Sequence, residues 1–270
     1  MLLAIASVKG SPGVTTTALA FAVCWPTRDG AVVVEADPAG GDLAARCGLG
    51  EPGLVSLAAH ARSHSDPGYG SLLLTHTRAL PSGILAVVGP VGARQARAAL
   101  SVLAAQPMLL RHAAGPGGPA VIVDCGRLDA ESVVLPLVRV ADAVVLVARA
   151  QDADLAHALD ALPMIAGLTP QPAFVLAGPG HSEAEVAAAL GIAVMGRLPW
   201  DARGAAALYR PSRAHQAPSR SALGHAAARL ANLLYRHHQH RLRTTTATGP
   251  LHAPLQGACG DVELAFGLRS

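Results

Sequence analysis

Residues 2–22 read LLAIASVKGSPGVTTTALAFA. The run from Leu2 to Val8 is almost wholly apolar, as expected of a strand buried on both faces. A Gly/Pro turn follows. Gly10 and Gly13 let the backbone approach an anion closely, and Pro12–Gly13 suits a tight turn. From Thr15 an Ala-rich pattern predicts a helix over Thr15–Cys24, whose first N–H groups and positive dipole end face the loop. Strand, glycine loop and helix form the layout of a phosphate-binding loop. The blander reading is a plain strand-to-helix turn, and this stretch alone leaves both open. One position is unusual. Where such a loop carries a lysine just before its Thr, this chain has Val14. Lys9, five residues earlier, is the only lysine beside twenty arginines. A compact ammonium suits a tight phosphate site better than a planar guanidinium does.

Working outward, short apolar runs alternate with Ala-rich helical stretches. Strands are expected at Ala31–Glu35, Ile84–Val88, Ala120–Val123, Ala143–Val147, Phe174–Leu176 and Ala193–Gly196. Helices are expected at Ala93–Leu110, Asp152–Ala166, Ser182–Leu190 and Ser221–Tyr235. Ser182 and Glu185 form a capping-box pair, and Gly191 suits the helix end. Unbroken apolar strands alternating with helices predict a doubly wound α/β fold, with a mainly parallel sheet covered on both faces. Residues 61–82 are polar and punctuated by Pro and Gly, and read as an exposed excursion. The expected organisation is one α/β domain over 1–236 and a basic, His-rich, disordered tail over 237–270.

Two of these strands end in carboxylates. In VVVEADPAGG (residues 32–41), Glu35 and Asp37 close the second strand, and in AVIVDCGRL (residues 120–128) Asp124 closes the fourth. Carboxylates at the carboxyl ends of parallel strands overlook the crevice where ligands bind. Asp37 is placed to orient a water or bind Mg²⁺. Asp124 is a Walker-B-like carboxylate, and Thr15 offers the hydroxyl that a phosphate-binding loop gives to Mg²⁺. Either strand end could equally be a solvated turn. The order and spacing of all three stretches are more specific than any one.

Composition narrows the class. With 270 residues and 51% apolar content, a large core is affordable. Four scattered cysteines lack metal or disulfide spacing, which suits a reducing cytoplasm. The first strand lacks the basic lead and cleavage site of a signal peptide, and no apolar run reaches membrane-spanning length. The net charge of +3 hides an asymmetry: residues 201–243 hold eight arginines and one acid, +7, against about −4 elsewhere. That span is a candidate surface for DNA or anionic lipid, and equally a basic helix packed on the sheet. His237, His238 and His240 read as a solvated basic tail, with metal binding as the alternative.

The three motifs together resemble the deviant Walker A ATPases of the MinD/ParA group. That loop reads Lys-Gly-Gly-x-Gly-Lys followed by two Ser/Thr; here it is Lys9, Gly10, Ser11, Pro12, Gly13, Val14, Thr15 and Thr16. The second motif, Asp-x-Asp-Pro-Gln-Gly-Asn, matches Glu35-Ala36-Asp37-Pro38-Ala39-Gly40-Gly41, and the third, Ile-Ile-Asp-Cys-Pro-Pro, matches Ile122-Val123-Asp124-Cys125-Gly126-Arg127. The resemblance covers about residues 1–235. It implies ATP and Mg²⁺ as ligands and a nucleotide-dependent homodimer in which Lys9 reaches the partner's phosphates. It also implies a spatial regulatory role with a protein partner, at the membrane or nucleoid periphery. Val14 removes a charged contact worth about 1.5–3 kcal/mol, so affinity is expected to fall roughly ten- to a hundredfold. Arg127, where the family has Pro, is a candidate replacement charge. Ala177 stands where the family uses an Asn for the base. Weak ATP binding with slow or absent hydrolysis is therefore expected. Degenerate loops also resemble the TadZ/CpaE-like pilus-localising branch. The competing readings are a pseudo-ATPase scaffold and a ParA-like DNA partition protein.

Overall fold

The computed structural model describes residues 1–50, 53–63, 69–169, 172–210 and 217–247. Its first half runs β1 (Leu2–Ser7), α1 (Val14–Val23), β2 (Ala31–Glu35), α2 (Leu43–Cys47), α3 (Gly53–Ser63), α4 (Tyr69–Thr75), β3 (Arg78–Ala79) and β4 (Leu85–Val87). Then come α5 (Ala93–Ala104), α6 (Met108–Ala113), β5 (Ala120–Arg127), α7 (Leu135–Arg139), β6 (Ala143–Arg149) and α8 (Asp152–Ala166). The chain continues through β7 (Pro172–Ala177), α9 (Glu183–Leu190), β8 (Val194–Leu198), α10 (Ala202–Ala207), a 3₁₀ turn (Pro218–Arg220) and α11 (Ala222–Ala247).

All eight strands join one sheet in the order β3-β4-β2-β5-β1-β6-β7-β8. Every pairing is parallel except β3 with β4. The doubly wound, mainly parallel α/β architecture expected from the alternating runs is the one observed. β1 lies at the centre, and all six of its residues are buried. Its side chains alternate between two apolar layers. Leu2, Ala4 and Ala6 face one layer, with α3, α5 and α8, and Leu3 and Ile5 face the other, with α1 and α11. This two-sided burial explains why the strands read as continuous rather than alternating apolar runs.

Several boundaries differ from expectation for local reasons. The helix expected over Ala93–Leu110 is broken, because Pro107 ends one register and caps α6. β5 does not stop at Val123 but continues to Arg127, with Asp124 inside the strand. The exposed excursion over 61–82 is partly core: it contains α4 and β3, Leu73 is fully buried, and His76 is 8% exposed. β3 is only two residues long, too short to carry a pattern. The capping box at Ser182 and Glu185 and the left-handed Gly191 are both present.

α11 outruns the helix expected to end at Tyr235. It continues through His237, His238 and His240 to Ala247, into the span expected as tail, and 248–270 lies outside the described residues. His238 is 3.8 Å from the Asp142 carboxylate and packs against it, so it is not a solvated tail residue. The alternation of buried Leu223, Ala227, Leu230 and Leu234 with exposed Arg229 and Arg236 seats one face of α11 on α1. No helix among the described residues is long and apolar enough to cross a membrane.

Candidate functional site

Residues 8–13 link the central strand to α1 at the carboxyl edge of the sheet. Here the chain leaves β1 for β2 on one side, while β5 crosses to β6 on the other. Such a switch point opens a crevice. Gly10 (φ 65°) and Gly13 (φ 96°) hold left-handed backbone that disfavours any side chain. Gly13 caps α1 and no side chain does, so the first-turn N–H groups have no side-chain acceptor. Thr17 donates its hydroxyl to the Gly13 carbonyl at 2.9 Å. Val14 turns inward: it is 7% exposed and packs into the α1 layer of the core. At this position the loop offers a backbone amide and no charge. Lys9 is exposed, and no hydrogen bond or ion pair holds its ammonium among the described residues. Pro12 is buried, and Ser11 is exposed.

Asp124 is the deepest polar group of the site, fully buried on β5 beside β1 and β2. Its Oδ1 accepts from the Gly126 N–H at 3.1 Å. Its Oδ2 has no hydrogen-bond partner among the described residues. The Thr15 hydroxyl stands near enough to favour the charged form electrostatically, although outside normal hydrogen-bond geometry. Burial pushes the carboxyl up to about 7, with Glu35 and Asp37 adding to the rise and Thr15 and Gly126 opposing it. A buried, unpartnered carboxylate oxygen is costly unless a cation or proton meets it.

Asp37 sits across Gly126 from Asp124. Gly126 has φ 59°, and a Cβ there would stand 2.2 Å from the Asp37 Cγ, so only glycine lets these two strand ends close up. Burial raises the Asp37 carboxyl, the Ala39 N–H bond at 2.7 Å opposes this, Asp42 adds to the rise, and the Arg127 guanidinium lowers it. Arg127 is exposed at the end of β5 and lines the same cleft. The other carboxylate of the motif, Glu35, is committed elsewhere. It accepts from Asp42 N (2.7 Å), Leu43 N (2.9 Å) and Gly89 N (2.8 Å). It is a brace that fixes the loop carrying Asp37.

The cleft above this floor is about 690 Å³ and is lined by the loop, Asp37, Arg127, Trp200 and Tyr209, a size suited to a nucleotide-sized ligand. Thr16 faces the Tyr209 hydroxyl, and Arg46 lies over the Tyr209 ring at 5.1 Å. Arg149, at the carboxyl end of β6, donates to the Ser11 carbonyl at 3.3 Å and so steadies the loop. Sequence reading singled out neither Arg149 nor Tyr209. Arg149 was detectable as a polar residue closing a parallel strand, whereas Tyr209 reaches the cleft only through the packing of α10.

The structure therefore brings together Gly10, Gly13, Thr15, Thr16, Asp37, Asp124 and Arg127, while Val14 packs its side chain into the core layer and Lys9 is exposed and outside the cleft lining. Asp124 Oδ2, the Thr15 hydroxyl and Asp37 are hard oxygen donors that fit Mg²⁺. Among the described residues no group of three or more His, Cys, Asp and Glu could hold a metal. That sparse donor set suits a cation that takes its remaining oxygens from water and phosphate.

No family model and no curated protein matches the chain. Solved structures do. A ParA family ATPase from Chlorobium tepidum TLS superposes with a TM-score of 0.66 at 17% identity, over 86% of this chain and 97% of that one. The cell division ATPase MinD of Pyrococcus furiosus gives 0.64 at 15%, over 87% and 98%. The septum site-determining protein MinD from Pyrococcus horikoshii OT3, complexed with Mg-ADP, gives 0.63 at 14%, over 86% and 95%. What these likenesses share with the chain is the fold: the mainly parallel, eight-stranded P-loop architecture of the MinD and ParA ATPases.

Proposed function

We propose that this protein binds Mg²⁺ and a nucleoside triphosphate, ATP in the first instance, and serves as a spatial regulator of the MinD/ParA type. The observation that carries the reading is the buried, unpartnered Asp124 Oδ2 beside Thr15. It lies at the foot of a loop whose two left-handed glycines and uncapped helix start present N–H groups. A divalent ion and a phosphate together satisfy both ends of that arrangement. The structurally similar MinD complexed with Mg-ADP supports the ligand class.

Each residue then has a role. The loop amides and the α1 N-terminus bind the phosphates. Thr15 and Asp124 would hold the cation, which would supply positive charge to neutralise the phosphates. Asp37, fixed by Ala39 N–H and the Glu35 brace, orients a water. Arg127 supplies positive charge at the rim. Val14 leaves the phosphates without the loop's own ammonium, so binding is weak, from tens of micromolar to millimolar, and turnover is slow or absent. Lys9 reaches the nucleotide of a second copy, which makes the dimer depend on ligand. A protein partner docks on that dimer. DNA or anionic lipid meets the basic 201–243 span, as an alternative output.

Calorimetry with Mg-ATP tests the reading. Heat and a thermal shift at or below millimolar nucleotide are expected, lost in Asp124→Ala. No response at several millimolar leaves the fold as a pure docking scaffold.

A further inference from the structure

Trp200 is 72% exposed, more than any other large apolar side chain among the described residues. It is nevertheless held in place. Pro199 precedes it, and Asp201 follows it as the cap of α10, accepting from Gly204 N at 2.8 Å and from Leu223 N at 3.2 Å. Beneath the ring, a Cβ added at Gly178 would meet Cε3 at 3.5 Å, so the turn after β7 backs it closely. The ring stands where the main cleft meets a side lobe of about 330 Å³, and it lines both. Exposing so much apolar surface in a preorganised position points to a flat ligand that covers it.

We propose that Trp200 is the stacking platform for the nucleobase and that the site accepts different bases with similar affinity. This rests on the nucleotide reading above. With phosphates on the glycine loop, the base lies at the opposite end of the same cleft, against Trp200. The neighbouring Ala177, Gly178, Leu198 and Pro199 bring no side-chain hydrogen-bonding groups to a base edge, and both Asp201 carboxylate oxygens are taken by Gly204 N and Leu223 N. Gln151, exposed on the side lobe, carries an amide that both donates and accepts and so suits more than one base edge. Arg149, on the side lobe, has its Nη2 committed to the Ser11 carbonyl. Recognition through an aromatic face tolerates any base, because every base has a π face. Trp200 thus positions the ligand and sets breadth of specificity.

The full-length protein is titrated in Mg²⁺ with ATP, GTP and inorganic tripolyphosphate, as wild type, Trp200→Ala and Trp200→Phe. Fluorescence is followed as a second signal. Trp25, the only other tryptophan, is 8% exposed in the core and serves as the unresponsive reference. ATP and GTP are expected to bind within about threefold of each other, and Trp200→Ala to weaken both by about five- to a hundredfold, from the value of one stacked base. Tripolyphosphate affinity should not move, and Trp200→Phe should retain most of the nucleotide affinity. Unchanged ATP binding in Trp200→Ala overturns the platform. ATP preferred to GTP by more than about tenfold overturns the tolerance and assigns base reading to hydrogen-bonding edges. Tripolyphosphate bound while neither nucleotide gains over it also overturns the platform but spares the phosphate site. Silence toward all three removes the nucleotide reading and this proposal with it.

Discussion

Asp124→Asn should stabilise the ligand-free protein at alkaline pH, a counter-intuitive outcome for a residue at the heart of the site. Burial carries the carboxyl from 3.8 to about 7. At 1.36 kcal/mol per pKa unit, that gap is about 4 kcal/mol. The folded protein holds this proton more tightly than the unfolded chain does. Stability from this group is therefore intact below about pH 4 and is lost as pH rises toward 7. Asparagine keeps the Oδ1 bond to Gly126 N–H but puts an amide NH₂ where Oδ2 was, forfeiting about 1–3 kcal/mol if Thr15 does not accept from it. The net gain at pH 8 is then about 1–3 kcal/mol. Urea unfolding at pH 5, 6, 7 and 8 in a chelator measures it. The variant-minus-wild-type difference should climb by about 2–3 kcal/mol across that range. Millimolar Mg²⁺ should then restore wild-type stability at pH 8 and do nothing for the variant. A variant less stable than wild type at pH 8 in chelator, or a difference flat with pH, would refute the claim that this carboxylate lacks a protein partner.

Val14→Lys should tighten Mg-ATP binding by roughly tenfold, as a charge-assisted contact is restored, while removing the buried isopropyl lowers stability by about 1–3 kcal/mol; calorimetry and urea melts separate the two, and unchanged affinity would mean the loop is misaligned with its phosphates. Lys9→Ala should leave monomer stability within about 0.5 kcal/mol, as for an exposed side chain, and abolish the proposed ATP-dependent dimer when size is followed by light scattering; a dimer that persists makes Lys9 a surface residue only. Gly126→Ala should destabilise the fold by about 1–3 kcal/mol, combining left-handed strain with the clash at Asp37; near-wild-type stability would show that the strand ends can part.

The sheet was legible because its strands are buried on both faces, and β1, β2, β5 and β6 are runs that only a central position tolerates. The glycine loop was legible because glycines, a proline and a helix start must occur in a fixed order to make it. Asp37 and Asp124 stood out as charges ending such runs. What sequence could not show was how those charges divide their work. Glu35 and Asp37 look equivalent two residues apart, yet strand alternation sends Glu35 inward to three amides and leaves Asp37 in the cleft. Val14 looked like a lost charge. Packing shows that its side chain belongs to the core layer. Nothing in the sequence marks Trp200 as exposed, because its setting depends on the remote contact between Asp201 and Leu223. The length of α11 was hidden because its last turns are polar, and Asp142, ninety-six or more residues away, is what His238 and Arg241 pack against.

α11 is an unbroken rod of 26 residues, about 39 Å long at 1.5 Å per residue. One end is pinned at the cleft, where Leu223 N meets Asp201 and Cys24 Sγ meets the Gly224 carbonyl at 3.3 Å. The other end is pinned near the amino terminus, where Arg241 donates to the Asp142 carbonyl at 3.5 Å while Asp142 itself accepts from Leu2 N at 2.7 Å. With no proline along its length, such a helix moves as one piece. A pivot of five degrees at the cleft end swings the far tip by about 3 Å. The rod thereby ties the Trp200 loop at one edge of the sheet to an arginine-bearing tip at the opposite rim. A pivot on adding Mg-ATP would register as a change in distance between spin labels at residues 28 and 244, and an unchanged distance would show the helix fixed at both ends.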